Sequence, residues 1–352
     1  MKKLILAAAA ALMLCSCSQN DSSTSSSKSE MTTTTATQAT AEPAQTDSLP
    51  EEKVYAELYD TTPISQAYLS GDDSALDDKQ KAVLDAAADV IDLLIKDDMT
   101  PVEKELVIHD MIVRICRYDK DDLNALGGHG PNAEDPYGVL FEGKAICSGY
   151  TTTFKLFMEM LGIECINVHA DSKNGEHAWS MVKLDGEWYY VDVTWDDASP
   201  DRGLDGAVRH KYFNVGADLL KETGHYWKPE DHPEADGTKY SYINLTVREV
   251  ASLDELEQAF DELPGSEFEY IPGYGEPENR YFIIPDGEKY GLTEENVQKK
   301  TNFTGKSKED GKELFDALAK IYKARGFTLA SYRAVQTEKG IAAETTIVAK
   351  KD

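Results

Sequence analysis

The chain has 352 residues, 41% of them hydrophobic, and a formal net charge of -28. That is enough apolar material for real cores in about two domains of ordinary size, which excludes a wholly disordered chain. The acidic balance argues against nucleic acid or an anionic lipid surface as partner and favours solubility.

The first residues, MKKLILAAAAALMLCSC, have a basic start, an apolar run too short to span a bilayer, and small residues before a cysteine. This is the pattern of an export leader. Leu14-Cys15-Ser16-Cys17 resembles a bacterial lipobox. The resemblance implies cleavage before Cys17, acylation of that residue, and an extracytoplasmic protein held on the bacterial cell membrane by its lipid; several acyl chains meet the requirement for stable anchoring. An ordinary secretory peptide is the alternative. Residues 18–50 are mostly Ser, Thr, Ala and Gln, so they read as a flexible tether between the anchor at residues 1–17 and a first domain over 51–240.

That domain opens with helices. Val83, Leu84, Ala87, Val90, Ile91, Leu94 and Ile95 recur at helical spacing over 81–96, and Thr100-Pro101-Val102-Glu103 forms a capping box with proline at the first helical position. The second helix, running to about Cys116, carries His109, Asp110 and Arg114. Adjacent helical residues point about 100° apart, so His109 and Asp110 read as surface or packing residues rather than a catalytic or metal pair. His129 falls in a turn-rich loop, 127–135.

The stretch from Tyr137 to Asp196 carries the chemistry. Cys147 follows a glycine-bearing loop (Gly143, Lys144) and opens a segment with Tyr150, Phe154, Phe157, Met158 and Leu161 at helical spacing, closed by Gly162 as a left-handed cap. A cysteine at a helix start lies among unpaired N–H groups and the positive end of the macrodipole, which favour the thiolate. A short strand follows over 163–168, then a hairpin turning at Asp185-Gly186. If Leu184 pairs with Glu187, the register sets His177 opposite Thr194 and Trp179 opposite Asp192, so His177 and Asp192 become diagonal neighbours on one face. One nucleophile on a helix start and one His/Asp pair on an adjoining hairpin is an arrangement for thiol acyl transfer. His169 is the rival base. Trp179 and Trp195 flank the pair and are candidates for lining the cleft.

The strings YGVLFEGKAICSGY, LGIECINV, HAW and WYYVDVTWDD resemble the core of the transglutaminase-like superfamily, a branch of the papain-like cysteine enzymes, over roughly residues 107–215. The resemblance implies an α+β fold in which a helix carrying the cysteine packs on an antiparallel sheet carrying the histidine and aspartate. It implies Cys147, His177 and Asp192 as catalytic residues, and Tyr137 near the substrate carbonyl. The implied activity is attack on amide bonds of protein or peptide substrates, cell-wall peptides included. Hydrolysis is favoured over cross-linking, because no calcium-loop pattern is visible. A non-catalytic protein- or glycan-binding lipoprotein on the same fold is the alternative.

After Asp197 a polar loop with Asp201, Arg202 and Asp205 leads to a closing strand over 211–215. Residues 241–352 form a smaller α+β domain. Its expected strands cover 242–247, 281–284, 327–335 and 343–348; one expected helix starts on a Ser252…Glu255 capping box and a second covers 307–326. Cys116 and Cys165 fit as small buried apolar residues, with a disulfide as the alternative. No CxxC, HExxH or clustered His/Cys spacing occurs, so no metal or other cofactor is expected.

Overall fold

Two complete capping boxes start helices near the beginning of the described chain. A computed structural model describes residues 54–120, 130–197, 208–261, 280–307, 309–324 and 328–348. The leader, Cys17, the tether, His129, and Asp201, Arg202 and Asp205 lie outside them. Helices α1 (Thr62–Ser70), α2 (Asp78–Leu94) and α3 (Pro101–Ile115) come first. In α3 the Glu103 backbone N–H donates to the Thr100 hydroxyl, while the Glu103 carboxylate accepts the Thr100 N–H at 2.7 Å. Asp77 and Gln80 do the same for α2.

Strand β1 (Arg117–Tyr118) pairs in parallel with β2 (Lys144–Ala145), reached through a π-helical turn, Gly138–Glu142. Helix α4 (Cys147–Met160) follows at once. It closes as the sequence predicts: Gly162 has φ 73, and the N–H groups of Ile163 and Gly162 donate to the Met158 and Glu159 carbonyls at 2.8 and 3.1 Å. Its start is tied to the loop before it, because the Ile146 N–H donates to the Ala133 carbonyl at 2.9 Å. A Cβ on Gly149 would stand 2.4 Å from that same carbonyl oxygen, so only glycine lets the helix lie there.

Helix α4 packs on a four-stranded antiparallel sheet in the order β5-β4-β3-β6, made of β3 (Cys165–Ser172), β4 (Gly175–Leu184), β5 (Glu187–Val191) and β6 (His225–Tyr226). Strand β3 extends past the expected 163–168 because the longer β4 pairs along its whole length. Asp185 and Gly186 both have positive φ, and Leu184 faces Glu187 as expected. The register holds to Ser180 opposite Val191 and then stops, because the chain leaves the sheet at Asp192 to form α5 (Val193–Asp196). The expected pairs His177–Thr194 and Trp179–Asp192 therefore do not form. One buried core joins the helices and this sheet, with Ile108, Ile112, Phe154, Phe157, Val182 and Phe213 among its fully buried members. The expected closing strand over 211–215 is reduced to a single bridge, in which Val215 and Tyr190 exchange both N–H···O bonds.

A second core lies further along. After α6 (Ala217–Thr223) come α7 (Tyr242–Thr246), β7 (Arg248–Glu249), α8 (Leu256–Asp261), β8 (Tyr281–Ile283), α9 (Glu294–Lys299), β9 (Asn302–Phe303), α10 (Glu309–Ala324), β10 (Thr328–Thr337) and β11 (Gly340–Val348). The sheet order is β7-β8-β11-β10-β9, and Leu314, Leu318 and Tyr322 of α10 pack with Phe282, Leu329 and Tyr332 of the sheet. The strand expected over 242–247 is instead the turn of helix α7: the Thr246 hydroxyl donates to the Tyr242 carbonyl, and strand pairing begins only at Arg248. Tertiary context overrides β-propensity here. The expected capping box at Ser252 does not form, since the Glu255 carboxylate accepts the N–H of Ala251, one residue too early, and the Ser252 side chain caps nothing. Residues 57–352 form one compact unit, and among the described residues no helix is long and apolar enough to cross a membrane.

Gly149→Ala is expected to cost about 2 kcal/mol, because the methyl group meets backbone rather than a flexible side chain, and so to lower Tm by several degrees. Thermal unfolding followed by circular dichroism checks this; a Tm within about one degree of wild type contradicts the close approach.

Candidate active site

Cys147 is the first residue of α4, preceded by Ile146 in extended conformation with no side-chain cap, so it stands at the end where the helix's first N–H groups have no intrahelical partner. It is nearly buried, at 8% exposure. Tyr118 sits across from it, because the parallel pairing of Tyr118 with Ala145 brings β1 alongside the residues that lead into the helix. The Tyr118 side chain hydrogen-bonds to Cys147, and burial together with the nearness of that sulfur pushes the phenol pKa well up. Tyr137, expected near the substrate carbonyl, stacks on Phe141 at 4.5 Å with Lys79 over its ring. The tyrosine that meets the sulfur is Tyr118, which the sequence reading passed over because an isolated two-residue strand has no periodic pattern.

His177, in β4, is 4% exposed and donates from Nε2 to Asp192 Oδ2 at 2.8 Å. This leaves Nδ1 for its side-chain hydrogen bond with Cys147. Burial works against the imidazolium, but the charge and hydrogen bond of Asp192, with Cys147 adding to them, outweigh it and push the His177 pKa up to about 10. Asp192 is fully buried. Desolvation alone would raise its pKa; the charges and hydrogen bonds of His177 and His225 hold it well below the usual carboxylate range. Its second oxygen accepts the Trp195 N–H at 3.0 Å and caps α5. Trp179 and Trp195 both stack on the His177 ring, at 5.8 and 5.1 Å between centroids; Trp179 is buried and Trp195 half-buried. His169 pairs with Ala178, so by strand alternation it points to the other face, where it meets Glu176 at 3.0 Å.

Sequence reasoning missed His225. It donates from Nε2 to the same Asp192 oxygen at 3.0 Å while its Nδ1 faces the Leu220 carbonyl at 3.3 Å. It stands alone after Gly224, and only the pairing of β6 with β3 brings it to the site. His109 is fully buried rather than on the surface. Its Nε2 reaches Asp196 at 3.3 Å and its Nδ1 reaches Asp110, which also accepts from His210 at 2.6 Å. Asp196, pushed up to about 6 by burial, also accepts the Tyr212 N–H at 3.0 Å, so this network fixes the end of the short helix whose start is Asp192. Two donor groups, His177/Asp192/His225 and His109/Asp110/His210, have the spacing to surround a cation. Hydrogen bonding within each group accounts for that spacing. Cys116 and Cys165 are free buried thiols, as their apolar reading implies; burial pushes Cys116 up to about 12 and raises Cys165 as well.

Because the folded pKa of His177 is raised, its contribution to stability is complete below about pH 6.5 and is lost as the pH climbs toward 10. Asp192, with its folded pKa lowered, contributes above about pH 4 and loses that contribution in acid. Urea unfolding of wild type and Asp192→Asn is therefore expected to differ most between about pH 4 and 6.5 and to converge toward pH 10. A difference that grows with alkalinity contradicts the pairing.

Residues 89–193, which contain Cys147, His177 and Asp192, match the family model described as Transglutaminase-like superfamily. Kyphoscoliosis peptidase of Mus musculus is 31% identical over 99 residues, 25% of this chain and 15% of that protein. The Homo sapiens protein of the same name is 28% identical over 124 residues, 32% of this chain and 19% of that one. The chain thus spans less than a fifth of these relatives' length. The crystal structure of a TGase, 20% identical, aligns over 37% of this chain and 36% of that one with a TM-score of 0.30. Over residues 89–193 the chain is therefore similar to the transglutaminase-like superfamily.

Proposed function

We propose that the protein is a cysteine enzyme acting on amide bonds of peptides or proteins, with Cys147 as nucleophile, His177 as acid and base, and Asp192 orienting the imidazole. The observation that carries this reading is the ordered chain of sulfur, imidazole and carboxylate: Nε2 of His177 is held by Asp192, and the other ring nitrogen is left for Cys147. A histidine that keeps its proton at neutral pH can share it with a sulfur and then deliver it.

The Cys147 sulfur attacks the amide carbonyl carbon, and the N–H groups at the start of α4 receive the oxyanion. His177 donates its proton to the leaving nitrogen as the C–N bond breaks, leaving a thioester. Water, or a primary amine, then attacks the thioester carbon, gives a proton back to His177 and releases the thiolate; water yields an acid and amine a new amide. The flanking indoles of Trp179 and Trp195 confine the imidazole to the plane this transfer needs. Hydrolysis of peptides, cell-wall peptides among them, is the outcome we assign first. We also assign Cys17 as the lipid-bearing residue, which would place this chemistry at a bacterial cell surface.

Iodoacetamide should label Cys147 at least about tenfold faster than Cys116 or Cys165, and His177→Ala should remove that advantage. In cell-surface lysate an acyl adduct should be trapped on wild type and missing from Cys147→Ala, and its mass identifies the substrate. Labelling of Cys147 no faster than an ordinary thiol, with no adduct, leaves a binding module instead. Metabolic labelling with a fatty acid should mark the wild-type chain and vanish in Cys17→Ser; label retained in that variant removes the anchor assignment.

A further inference from the structure

Two lysines stand beside the candidate site. The Lys173 ammonium lies 5.2 Å from the centre of the Trp195 ring, which stacks on His177. The Lys211 ammonium lies 5.1 Å from the Tyr212 ring, which meets Trp195 edge-on at 5.6 Å. Each lysine is thus one or two aromatic rings from the imidazole.

Lys173 is held in place. Its N–H donates to the Gly224 carbonyl at 2.7 Å, and a Cβ on Gly224 would come within 2.8 Å of its Cδ. Gly224 is the left-handed cap of α6, with φ 99, so conformation and space both call for glycine, and the lysine stem fills the notch. Both lysines are exposed, and neither has an ion-pair partner among the described residues. The carboxylates that Lys211 feels are committed elsewhere: Asp196 to the Tyr212 N–H and His109, and Glu222 to Lys300. Partial burial, then the nearby charge of Lys173, lowers the Lys211 pKa, as expected of two cations converging on one region. Lys211 also lines, with Tyr242 and Arg333, an open cleft of about 1070 Å³.

The chain carries 64 acidic residues against 36 basic ones, so two lysines that no acid pairs among the described residues form a local field opposite to the overall one. Overall repulsion is screened beyond about 8 Å at physiological salt, and the lysines govern the final approach. Resting on the amide chemistry proposed above, we infer that Lys173 and Lys211 bind a carboxylate of the substrate, so that acidic peptides are the preferred substrate class.

The test uses the full chain carrying Cys147→Ala and two acetylated pentapeptides with a central glutamine, one flanked by glutamates and the other all glutamine. Isothermal titration at low salt should show the glutamate peptide binding about tenfold more tightly, with the preference falling as salt is added. Adding Lys173→Gln and Lys211→Gln should abolish the preference, whereas Lys183→Gln, which removes a lysine paired with Glu164, should leave it intact. Equal affinity for the two peptides, no binding of the glutamate peptide, or a preference that survives loss of both lysines overturns the inference. Because the sulfur is absent throughout, these outcomes are independent of whether Cys147 reacts.

Discussion

The site depends on one buried carboxylate. Asp192 is fully removed from water, and an ion so placed costs several kcal/mol unless hydrogen bonds and opposite charge replace its hydration. His177 and His225 share one of its oxygens and the Trp195 N–H occupies the other. Each partner comes from a different element, so a single group ends β5, starts α5, orients the imidazole in β4 and draws β6 against the sheet.

The short helix after Asp192 could not hold that group by itself. Four residues make too little hydrogen bonding to resist fraying, so its far end is fixed by Asp196 within the His109 and Tyr212 network. That network reaches α3 through Asp110 and, through Glu105 and Asn214, the loop that bridges to Tyr190. Glu105, fully buried in this region, is pushed up to about 8 chiefly by that burial. The first helices of the chain thus support a candidate site whose Cys147, His177 and Asp192 come from later elements.

Charge is arranged on two scales. The whole chain is strongly acidic, while the elements around the imidazole carry histidines and, over aromatic faces, lysines that no acid pairs among the described residues. Aromatic faces attract these cations at short range, whereas the acidic surface acts mainly through a field that salt screens. A solvent-facing net charge therefore says little about what the site accepts.

The sequence by itself determined whatever rests on local chemistry: the capping boxes at Asp77 and Thr100, the glycine closure of the cysteine helix, the Asp185-Gly186 turn with its register, and the amphipathic helix over 309–324. The neighbourhood of Cys147, His177 and Asp192 was legible in part: a helix start and a strand carry the first two as expected, whereas the ladder expected to carry Asp192 stops at Val191. The tertiary structure decided what joins distant segments. His225 reaches Asp192 only because two residues of β6 pair with β3, and Tyr118 meets Cys147 only through a short parallel pairing. Asp192 itself departs from the predicted ladder because its hydrogen bonds to Trp195 and two histidines outweigh one more strand pair. Strand period and helix spacing report which face a side chain takes; they carry no record of which remote group will satisfy a buried charge, and that group is found only when the chain has folded around it.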